Sequence, residues 1–392
     1  MPKGRNSAQV LAEGHLKRRD ANVYSQHETL DCTTVNSLKK RRGDSKIGQN
    51  FSEITLKHRV EVALSLFCSF VDVKLPMNCE ASGKAILLHN RVLIVSPHFP
   101  PINAPDHQRV RMSLPYFEEF GWEPHILSVR PDCVEGVHDP LLEQTVPSHI
   151  SVIRTGALPV KHTKRVGLGS LSLRCFGHLL RAGNSYLAKE KFDLVYFSTT
   201  AFIVMALGPM WHRRFGVSYV LDFQDPWLSD YHKRPGSSEP PGGRFKYGFS
   251  QIMAQILEPD AMRQVSHVIS VSPEYPKTLL QRYSWLRQDQ FTVLPFGAPE
   301  KDFEQLPSLN VQQRIFDRND GKRHWVYVGR GGGDMALALR ALFLAIQSNR
   351  NREPERWNSL RLHFVGTSYA PGNLAVKTVE PIAQELGVVV NM

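Results

Sequence analysis

Glycines and an arginine near the carboxyl end of the chain have the types and spacing of a phosphate-binding loop. The apolar run VYV at 326–328 is followed by Gly329, Arg330 and Gly331, and then by a helical pattern that begins near Asp334. Glycine lets backbone approach a ligand closely, and the first N–H groups of a helix attract an anion. Arginine adds a planar fork of donors that fits a phosphate. The loop therefore predicts phosphate binding, and a tight turn that only permits packing is the alternative.

Two aspartates in the middle of the chain are the second group of candidates. Asp222 and Asp225 stand at the end of the apolar run 217–223. Ligands of open parallel sheets bind at the carboxyl ends of the strands. Asp225 is therefore the best candidate in this region for a ligand contact or a base, and capping of the following turn is its alternative role.

Short apolar runs alternate with helical patterns from residue 91 onward, and these elements must position the candidates. A continuous apolar run is typical of a parallel strand covered on both faces. Alternation of strands and helices predicts an α/β fold with a doubly wound parallel sheet. Pro115 lies inside the helical pattern that begins near Asp106 and is expected to kink it. Strands are predicted at 91–96, 124–129, 151–155, 192–199, 217–223, 267–272 and 291–296.

A polar stretch that begins at residue 304 interrupts this rhythm, and a second series of strands follows at 324–329, 360–366 and 388–390. The first of these is expected to be buried. The second series is shorter than a usual domain and stops on a strand at Met392, so the chain is expected to be cut off. Regular structure begins abruptly near Arg91. We therefore also expect that the start codon used for this sequence lies upstream of the true one. We predict a basic, mostly disordered extension at 1–87, a first domain at 88–303, a linker at 304–321 and a partial second domain at 322–392.

Composition narrows the class of protein without choosing a function. The 392 residues carry a net charge of +11, which favours anionic partners but is dispersed along the chain. The sequence has no nucleic-acid-reading motif, so nucleic acid is not an expected partner. Its five cysteines form no metal-ligand pattern and are expected to be reduced thiols. The best apolar segment, 60–73, is too short and too charged to span a membrane, and the first 30 residues lack the apolar core of a signal peptide.

Five motifs in order resemble family 4 glycosyltransferases of the GT-B fold, over roughly residues 91 to 392. That resemblance implies two Rossmann-like domains, the second incomplete here, and transfer of a hexosyl group from a nucleotide diphosphate sugar without a bound metal or cofactor. It also implies a polysaccharide or glycolipid acceptor and a cytoplasmic protein at the inner face of a membrane, to which the basic charge is suited. The motifs are VLIVSPHFPPINAPDHQRVRMSLPYFEEFGWEPHILSV (92–129), VLDFQDPW (220–227), ISVSPEYPKTLLQRY (269–283), VLPFGAP (293–299) and VYVGRG (326–331).

The resemblance gives the candidate residues specific roles. In the second domain, the loop Gly329, Arg330 and Gly331 would bind the donor diphosphate, because a diphosphate leaving group needs positive charge and N–H donors. In the first domain, Asp225 would be catalytic, and the acceptor would contact three further side chains. His98 alternatively is a solvent-exposed loop histidine, and Arg109 alternatively pairs with Glu118 or Glu119. The acceptor-binding candidates are His98, Arg109 and Asp222.

The sequence departs from the family pattern at several positions. Positions 334–342 contain no lysine, although the family usually has one there, and Gln224 stands where arginine is usual. In the first loop, the family often has a pair of glycines, and this sequence has Asn103, Ala104 and Pro105 instead. The glutamate pair that the family uses to hold the ribose and assist transfer would lie beyond Met392. These departures leave an alternative function, that of a catalytically inactive remnant that binds but does not transfer. A nucleotide-dependent oxidoreductase is a weaker alternative.

Overall fold

The computed structural model describes residues 90–163, 169–233, 240, 243–310, 312–366 and 377–391. The predicted extension 1–87 and its apolar segment 60–73 lie outside the described residues, as do Cys32, Cys68 and Cys79. Cys133 and Cys175 are free thiols.

The strands are labelled β1 to β12 in chain order. They agree with the predicted strands to within two or three residues at most ends, and the short strands β2 and β4 were not predicted. Their bounds are β1 Asn90–Val95, β2 Ile102–Asn103, β3 Trp122–Val129, β4 Val137–His138, β5 Ser151–Thr155, β6 Leu194–Ser198, β7 Ser218–Phe223, β8 His267–Ser270, β9 Phe291–Val293, β10 Arg323–Val328, β11 Leu360–Val365 and β12 Val390–Asn391.

Helices connect most of the strands. The α-helices are Gln108–Ser113, Pro140–Gln144, Val160–Thr163, Leu171–Lys189, Leu207–Phe215, Gly243–Arg263, Glu274–Arg282, Glu300–Gln305, Ala336–Arg352, Pro354–Trp357 and Val379–Glu385. Single 3₁₀ turns lie at Pro105–His107, Leu114–Tyr116, Glu118–Phe120, Pro131–Cys133, Phe202–Ala206, Tyr231–Lys233, Gln288–Gln290 and Gly333–Met335.

Seven parallel strands form the large sheet, in the order β5-β3-β1-β6-β7-β8-β9. The chain therefore builds outward from β1 through β3 to β5, returns to β6 on the other side of β1, and continues to β9. This order places a topological switch point between β1 and β6, where the two neighbouring connections leave in opposite directions. The predicted α/β class and doubly wound parallel sheet are confirmed.

Both faces of the large sheet are buried, because successive side chains of a strand point to opposite sides. On β1, Leu93 and Val95 enter one apolar cluster with Phe197 and Trp211. Val92 and Ile94 point to the other face, into a cluster that includes residues of the first helical segment. The continuous apolar run of β1 thus reflects two cores rather than one.

The segment around Pro115 is not a kinked helix. The α-helix ends at Ser113, and two 3₁₀ turns, Leu114–Tyr116 and Glu118–Phe120, carry the chain to Gly121. Proline has no N–H for the helical ladder and clashes with the preceding turn, so the helix stops instead of bending. Gly121 then takes a left-handed φ of 73°, which closes the last turn.

The second sheet consists, within the described residues, of the parallel strands β10-β11-β12. The prediction that β10 is a buried strand is wrong for this structure. Trp325 and Val326 are exposed by 47% and 43%, and Val328 by 74%. A strand is buried only where both of its faces are covered, and side chains on both faces of β10 are open to solvent. Within the described residues β10 is also an edge strand, paired only with β11.

Gly183 allows two helices of the large sheet to approach closely. A Cβ atom at Gly183 would lie 2.1 Å from the buried ring of Trp211, which is stacked on Phe197. We expect Gly183→Ala to lower the free energy of unfolding by about 1–3 kcal/mol, because overpacking a core displaces neighbours. Gly177→Ala in the same helix meets nothing within 4 Å and is the matched control. It should raise stability by up to about 1 kcal/mol through helix propensity. Urea unfolding of both variants measures the difference, and equal stabilities would contradict the packing argument.

Candidate functional site

The site lies where the carboxyl ends of β1 and β6 meet at the switch point. The residues that follow β1 and the last residues of β6 and β7 bring a group of polar side chains to this edge of the sheet. Most of these side chains are buried, and they are linked by hydrogen bonds rather than scattered over the surface. Ligands of open α/β sheets bind at such an edge, because the strands diverge there and leave a crevice.

Asp106 is the first centre of this group. It is buried, and its Oδ2 atom lies 3.0 Å from Nδ1 of His98 and accepts a hydrogen bond from the Thr199 hydroxyl at 3.0 Å. The backbone N–H of Thr200 donates to the same oxygen at 3.2 Å. Burial raises the pKa of Asp106, but the His98 ring and these donors outweigh it and hold the pKa below its usual value. His98 is therefore half-buried and oriented by a carboxylate, rather than a free loop histidine.

Asp222 is the second centre and ends β7 with no exposed surface. Its Oδ2 atom lies 2.9 Å from Nε of Arg109 and accepts hydrogen bonds from the Ser198 hydroxyl at 2.8 Å and the Gln224 amide at 3.0 Å. Burial raises the pKa of Asp222, and the Arg109 charge with the two donors opposes that shift. The Oδ2 atom is thus occupied by protein groups, whereas the buried Oδ1 atom accepts no hydrogen bond from the described residues. The assignment of Asp222 to acceptor binding stays a prediction.

Arg109 joins three separate parts of the fold. Besides its ion pair with Asp222, its guanidinium donates to the Leu294 carbonyl at 2.7 Å and lies 4.7 Å from the centre of the Phe296 ring. These contacts, rather than a surface pairing with Glu118 or Glu119, occupy the side chain. Arg109 therefore ties the first helix to β7 and to the segment that follows β9.

Gln224 connects the two centres. Its amide donates to the backbone carbonyl of Asp106 at 2.9 Å and to the carboxylate of Asp222 at 3.0 Å. The same amide nitrogen lies 3.0 Å from the Ser198 hydroxyl oxygen, so its two hydrogens are shared among three acceptors. Since Arg109 already supplies the positive charge beside Asp222, a neutral amide at position 224 completes the group without adding a second buried cation. This arrangement gives a physical reason for the departure from the usual arginine.

Asp225 lies beside the same group and is exposed. Desolvation by the surrounding protein, together with the negative charge of Asp106, raises the pKa of Asp225. Within the described residues its carboxylate caps no turn. The structure thus brings His98, Arg109, Asp222 and Asp225 together at one edge, with Asp225 as the carboxylate that solvent reaches.

The glycine loop of the second sheet has the predicted strand–loop–helix setting. The N–H of Gly329 donates to the Val365 carbonyl at 3.0 Å, so this donor is used within the sheet. The nearby Gly366 has a φ of 147°, and a Cβ there would lie 2.0 Å from the Gly329 carbonyl oxygen. The 3₁₀ turn Gly333–Met335 precedes the helix Ala336–Arg352. The phosphate prediction therefore depends on Arg330 and Gly331, while the Asp334 side chain lies outside what the structure describes.

Sequence reasoning missed several members of the site. Asp106 is predicted only as the start of a helix, and Ser198 and Thr199 only as the end of a strand. The sequence does not indicate that these three residues belong to the site. The available signal was at the end of β6, where the small hydroxyl residues 198–200 follow the apolar run 194–197. Polar residues at the carboxyl end of a central strand are candidates for ligand contact on the same ground as Asp222 and Asp225.

Other features do not compete with this site. A surface pocket lies near the start of β3, but its charged residues already pair with each other, as in Glu123 with His125 at 2.8 Å and Glu118 with His149 at 3.1 Å. Among the described residues, no group of three or more histidine, cysteine or acidic side chains is arranged to hold a metal ion.

Several solved structures are similar to this chain at low sequence identity. No family model and no curated protein matches the sequence. The N-terminal domain of Candida albicans trehalose-6-phosphate phosphatase is 12% identical, with a TM-score of 0.50 over 81% of this chain and 75% of that chain. The catalytic domain of Arabidopsis thaliana starch synthase IV, bound to ADP and acarbose, is 12% identical, with a TM-score of 0.45 over 78% and 74%. UGT2 of Phytolacca americana, complexed with UDP-2fluoro-glucose and pterostilbene, is 14% identical, with a TM-score of 0.40 over 77% and 72%.

The likeness to the trehalose-6-phosphate phosphatase domain concerns the fold alone, and the chain has an α/β fold with a doubly wound parallel sheet, as predicted. The domain boundaries and the roles of individual residues stay predictions.

The buried pair Arg109 and Asp222 predicts a strong and coupled effect on stability. Asp222→Asn and Arg109→Gln should each lower the free energy of unfolding by about 3–5 kcal/mol, because each leaves a buried charge without its partner. The double variant should lose less than the sum of the two. Asp260→Asn breaks the exposed pair with Arg213 and should cost less than about 1 kcal/mol. Strict additivity in a urea double-mutant cycle would show that the two charges do not act as a pair.

Proposed function

We propose that this chain transfers a hexosyl group from a nucleoside diphosphate sugar to a hydroxyl of a polysaccharide or glycolipid acceptor. The observation that carries the proposal is the polar group at the switch point, where the four predicted first-domain residues come together. The resemblance of the surrounding motifs to family 4 glycosyltransferases supports the same reaction. The α/β fold of the GT-B type is compatible with it but does not by itself specify the chemistry.

The acceptor hydroxyl would meet Asp225 and His98 at the open side of this group. In the transfer step the acceptor oxygen bonds to the anomeric carbon of the donor sugar, and the bond from that carbon to the diphosphate oxygen breaks. The hydroxyl proton passes to Asp225, whose raised pKa suits a general base better than an ordinary exposed carboxylate. Asp106 orients His98 as a hydrogen-bonding partner of the acceptor, while Arg109 and Asp222 fix the floor of the pocket.

The donor diphosphate would bind at the glycine loop of the second sheet. Arg330 would place its fork on the diphosphate, and the backbone at Gly331 would approach it closely. The negative charge that develops on the leaving diphosphate is then met by the guanidinium and by N–H groups at the start of the following helix.

A second candidate function is donor or acceptor binding without transfer. The observation that favours it is the exposure of β10, which carries the loop at its end. A strand with Trp325, Val326 and Val328 open to solvent holds Gly329 and Arg330 less firmly than a strand covered on both faces. Binding without turnover would follow from a loop that reaches the diphosphate but does not hold it in the geometry of transfer.

Donor binding tests the loop assignment. Calorimetric titration with a panel of nucleoside diphosphate sugars should show binding, and Arg330→Ala should weaken it by about tenfold to a hundredfold through loss of a charge-assisted contact. Arg356→Ala, which removes an exposed arginine paired with Glu353, is the matched control and should leave the affinity unchanged. If no member of the panel binds, the loop assignment and the transfer reaction are overturned, and of the second candidate function only acceptor binding is left.

Transfer is tested by release of nucleoside diphosphate with polysaccharide and glycolipid acceptors present. Asp225→Asn should lower the rate by about 10²–10⁴-fold, as expected for loss of a general base. Because the pKa of Asp225 is raised, the wild-type rate should fall as pH drops through that pKa, and the variant should lack this decline. Asp230→Asn, which removes an exposed carboxylate paired with Lys233, is the control. Donor binding without any release would instead establish the second candidate function.

A further inference from the structure

The strand β10 has an open edge, and two hydrogen bonds show which of its residues face that edge. The N–H of Arg323 donates to the Ser359 carbonyl at 3.1 Å, and the N–H of Gly329 donates to the Val365 carbonyl at 3.0 Å. Successive residues of a strand turn their N–H and C=O groups to opposite edges. The odd-numbered residues of β10 therefore bond to β11, and no described residue bonds to the backbone of the even-numbered ones. The residues that face the open edge are His324, Val326 and Val328.

The sequence of β10 lacks the features that protect a sheet edge from pairing with another strand. Such edges usually carry proline, lysine or a bulge. The sequence RHWVYV has no proline or lysine, and its pairing with β11 runs without a bulge. Its arginine, Arg323, stands at the first position with its guanidinium over the Trp357 ring. The open edge is therefore a template on which a further strand can pair.

The edge is complementary to the same edge of a second copy of the chain. When two β10 strands run antiparallel about a two-fold axis at Val326, Val326 lies opposite Val326 of the other copy, and His324 lies opposite Val328. Each of these is a hydrogen-bonded pair, in which the two residues exchange both N–H···O bonds. In this two-fold register all three even-numbered residues are paired. The contact is isologous and closed, so it forms a dimer rather than a chain of copies.

The side chains of β10 fit the same register. Opposite residues of an antiparallel pair lie on one face, and the pairs that share no hydrogen bonds bring their side chains closest. Trp325 of one copy would meet Tyr327 of the other in such a pair, and both rings are exposed in the single chain. Aromatic pairs across strands stabilise a sheet. Arg323 would lie opposite Gly329, so like charges do not meet.

We propose that two copies of this chain pair through β10 and join their second sheets into one continuous sheet. Pairing satisfies the backbone groups of the open edge and removes apolar side chains from water. Since Gly329 and Arg330 follow β10 directly, pairing also fixes the strand that holds the glycine loop. This consequence for donor binding rests on the proposed function, whereas the pairing itself does not.

Sedimentation velocity of the full chain without sugar nucleotide, over a range of concentrations, tests the pairing. A reversible dimer is expected. Val326→Lys and Val326→Glu each place two like charges opposite each other at the axis, so each alone should weaken the dimer by about tenfold or more. A mixture of the two variants should dimerise again, because opposite charges then meet. Thermal unfolding of each variant confirms that the fold is retained.

Val389→Lys is the matched control. It replaces a valine that is 75% exposed beside β12, at the other edge of the same sheet, and it should leave the dimer unchanged.

A cross-link tests the register. Opposed Cα atoms of a hydrogen-bonded antiparallel pair are about 5.5 Å apart, which is within the reach of a disulfide. Oxidised Val326→Cys should therefore give a covalent dimer whose bridge joins the two copies of position 326, as mapped by mass spectrometry. Val389→Cys should give no such dimer, and the unmodified chain under the same oxidation controls for the native thiols.

Three results would overturn the proposal: a monomer at every concentration, a dimer that Val326→Lys leaves intact, or lysine and glutamate variants that stay monomeric when mixed. A monomer in which the Val326 N–H still exchanges slowly with solvent would assign the edge to another segment of the same chain. A dimer that binds no nucleoside diphosphate sugar would leave the β10 contact standing and overturn only the proposed reaction.

Discussion

The buried ion pair between Arg109 and Asp222 is the interaction on which the site depends. Two charges removed from water cost several kcal/mol each, so they persist only where geometry and further hydrogen bonds compensate. Ser198, Gln224 and the Leu294 carbonyl supply that compensation. The pair therefore fixes the relative positions of the first helix, the ends of β6 and β7, and the segment after β9. His98 keeps its place at the open side through Asp106, which the Gln224 amide links to this pair.

The large sheet was predictable from the sequence because its strands are continuous apolar runs. A run such as LIV in β1 can be stable only when both faces are covered, and that requirement leads directly to a parallel sheet with helices on both sides. The ends of the strands were less certain, and the helix around Pro115 was misjudged, because local sequence does not show where 3₁₀ turns will take over from α-helix. The antiparallel pair β2 and β4 joins residues 34 and 36 apart, and two-residue strands have no periodicity to reveal it.

The candidate site was predictable only in part. Asp222 and Asp225 follow a recognisable strand, so position alone singled them out. Asp106 and Gln224 gained their roles from partners more than 90 residues away, since Thr199 and the Asp106 carbonyl come to them through the fold. The exposure of β10 shows a second limit of prediction from sequence. Its sequence resembles that of β1, but burial depends on elements packed against both faces of the strand, and sequence within the strand does not supply them.

The hydrogen bond from Arg109 to the Leu294 carbonyl spans 185 positions of the chain. During synthesis the chain leaves the ribosome from its amino end, so β1 and the first helix emerge long before residue 294. Until residue 294 has been synthesised, the Arg109 guanidinium lacks one of the hydrogen-bond partners that compensate for its removal from water. The floor of the site is therefore completed only when the whole large sheet has formed. A partly made chain can collapse around its apolar strands, but it has no finished pocket with which to capture a ligand.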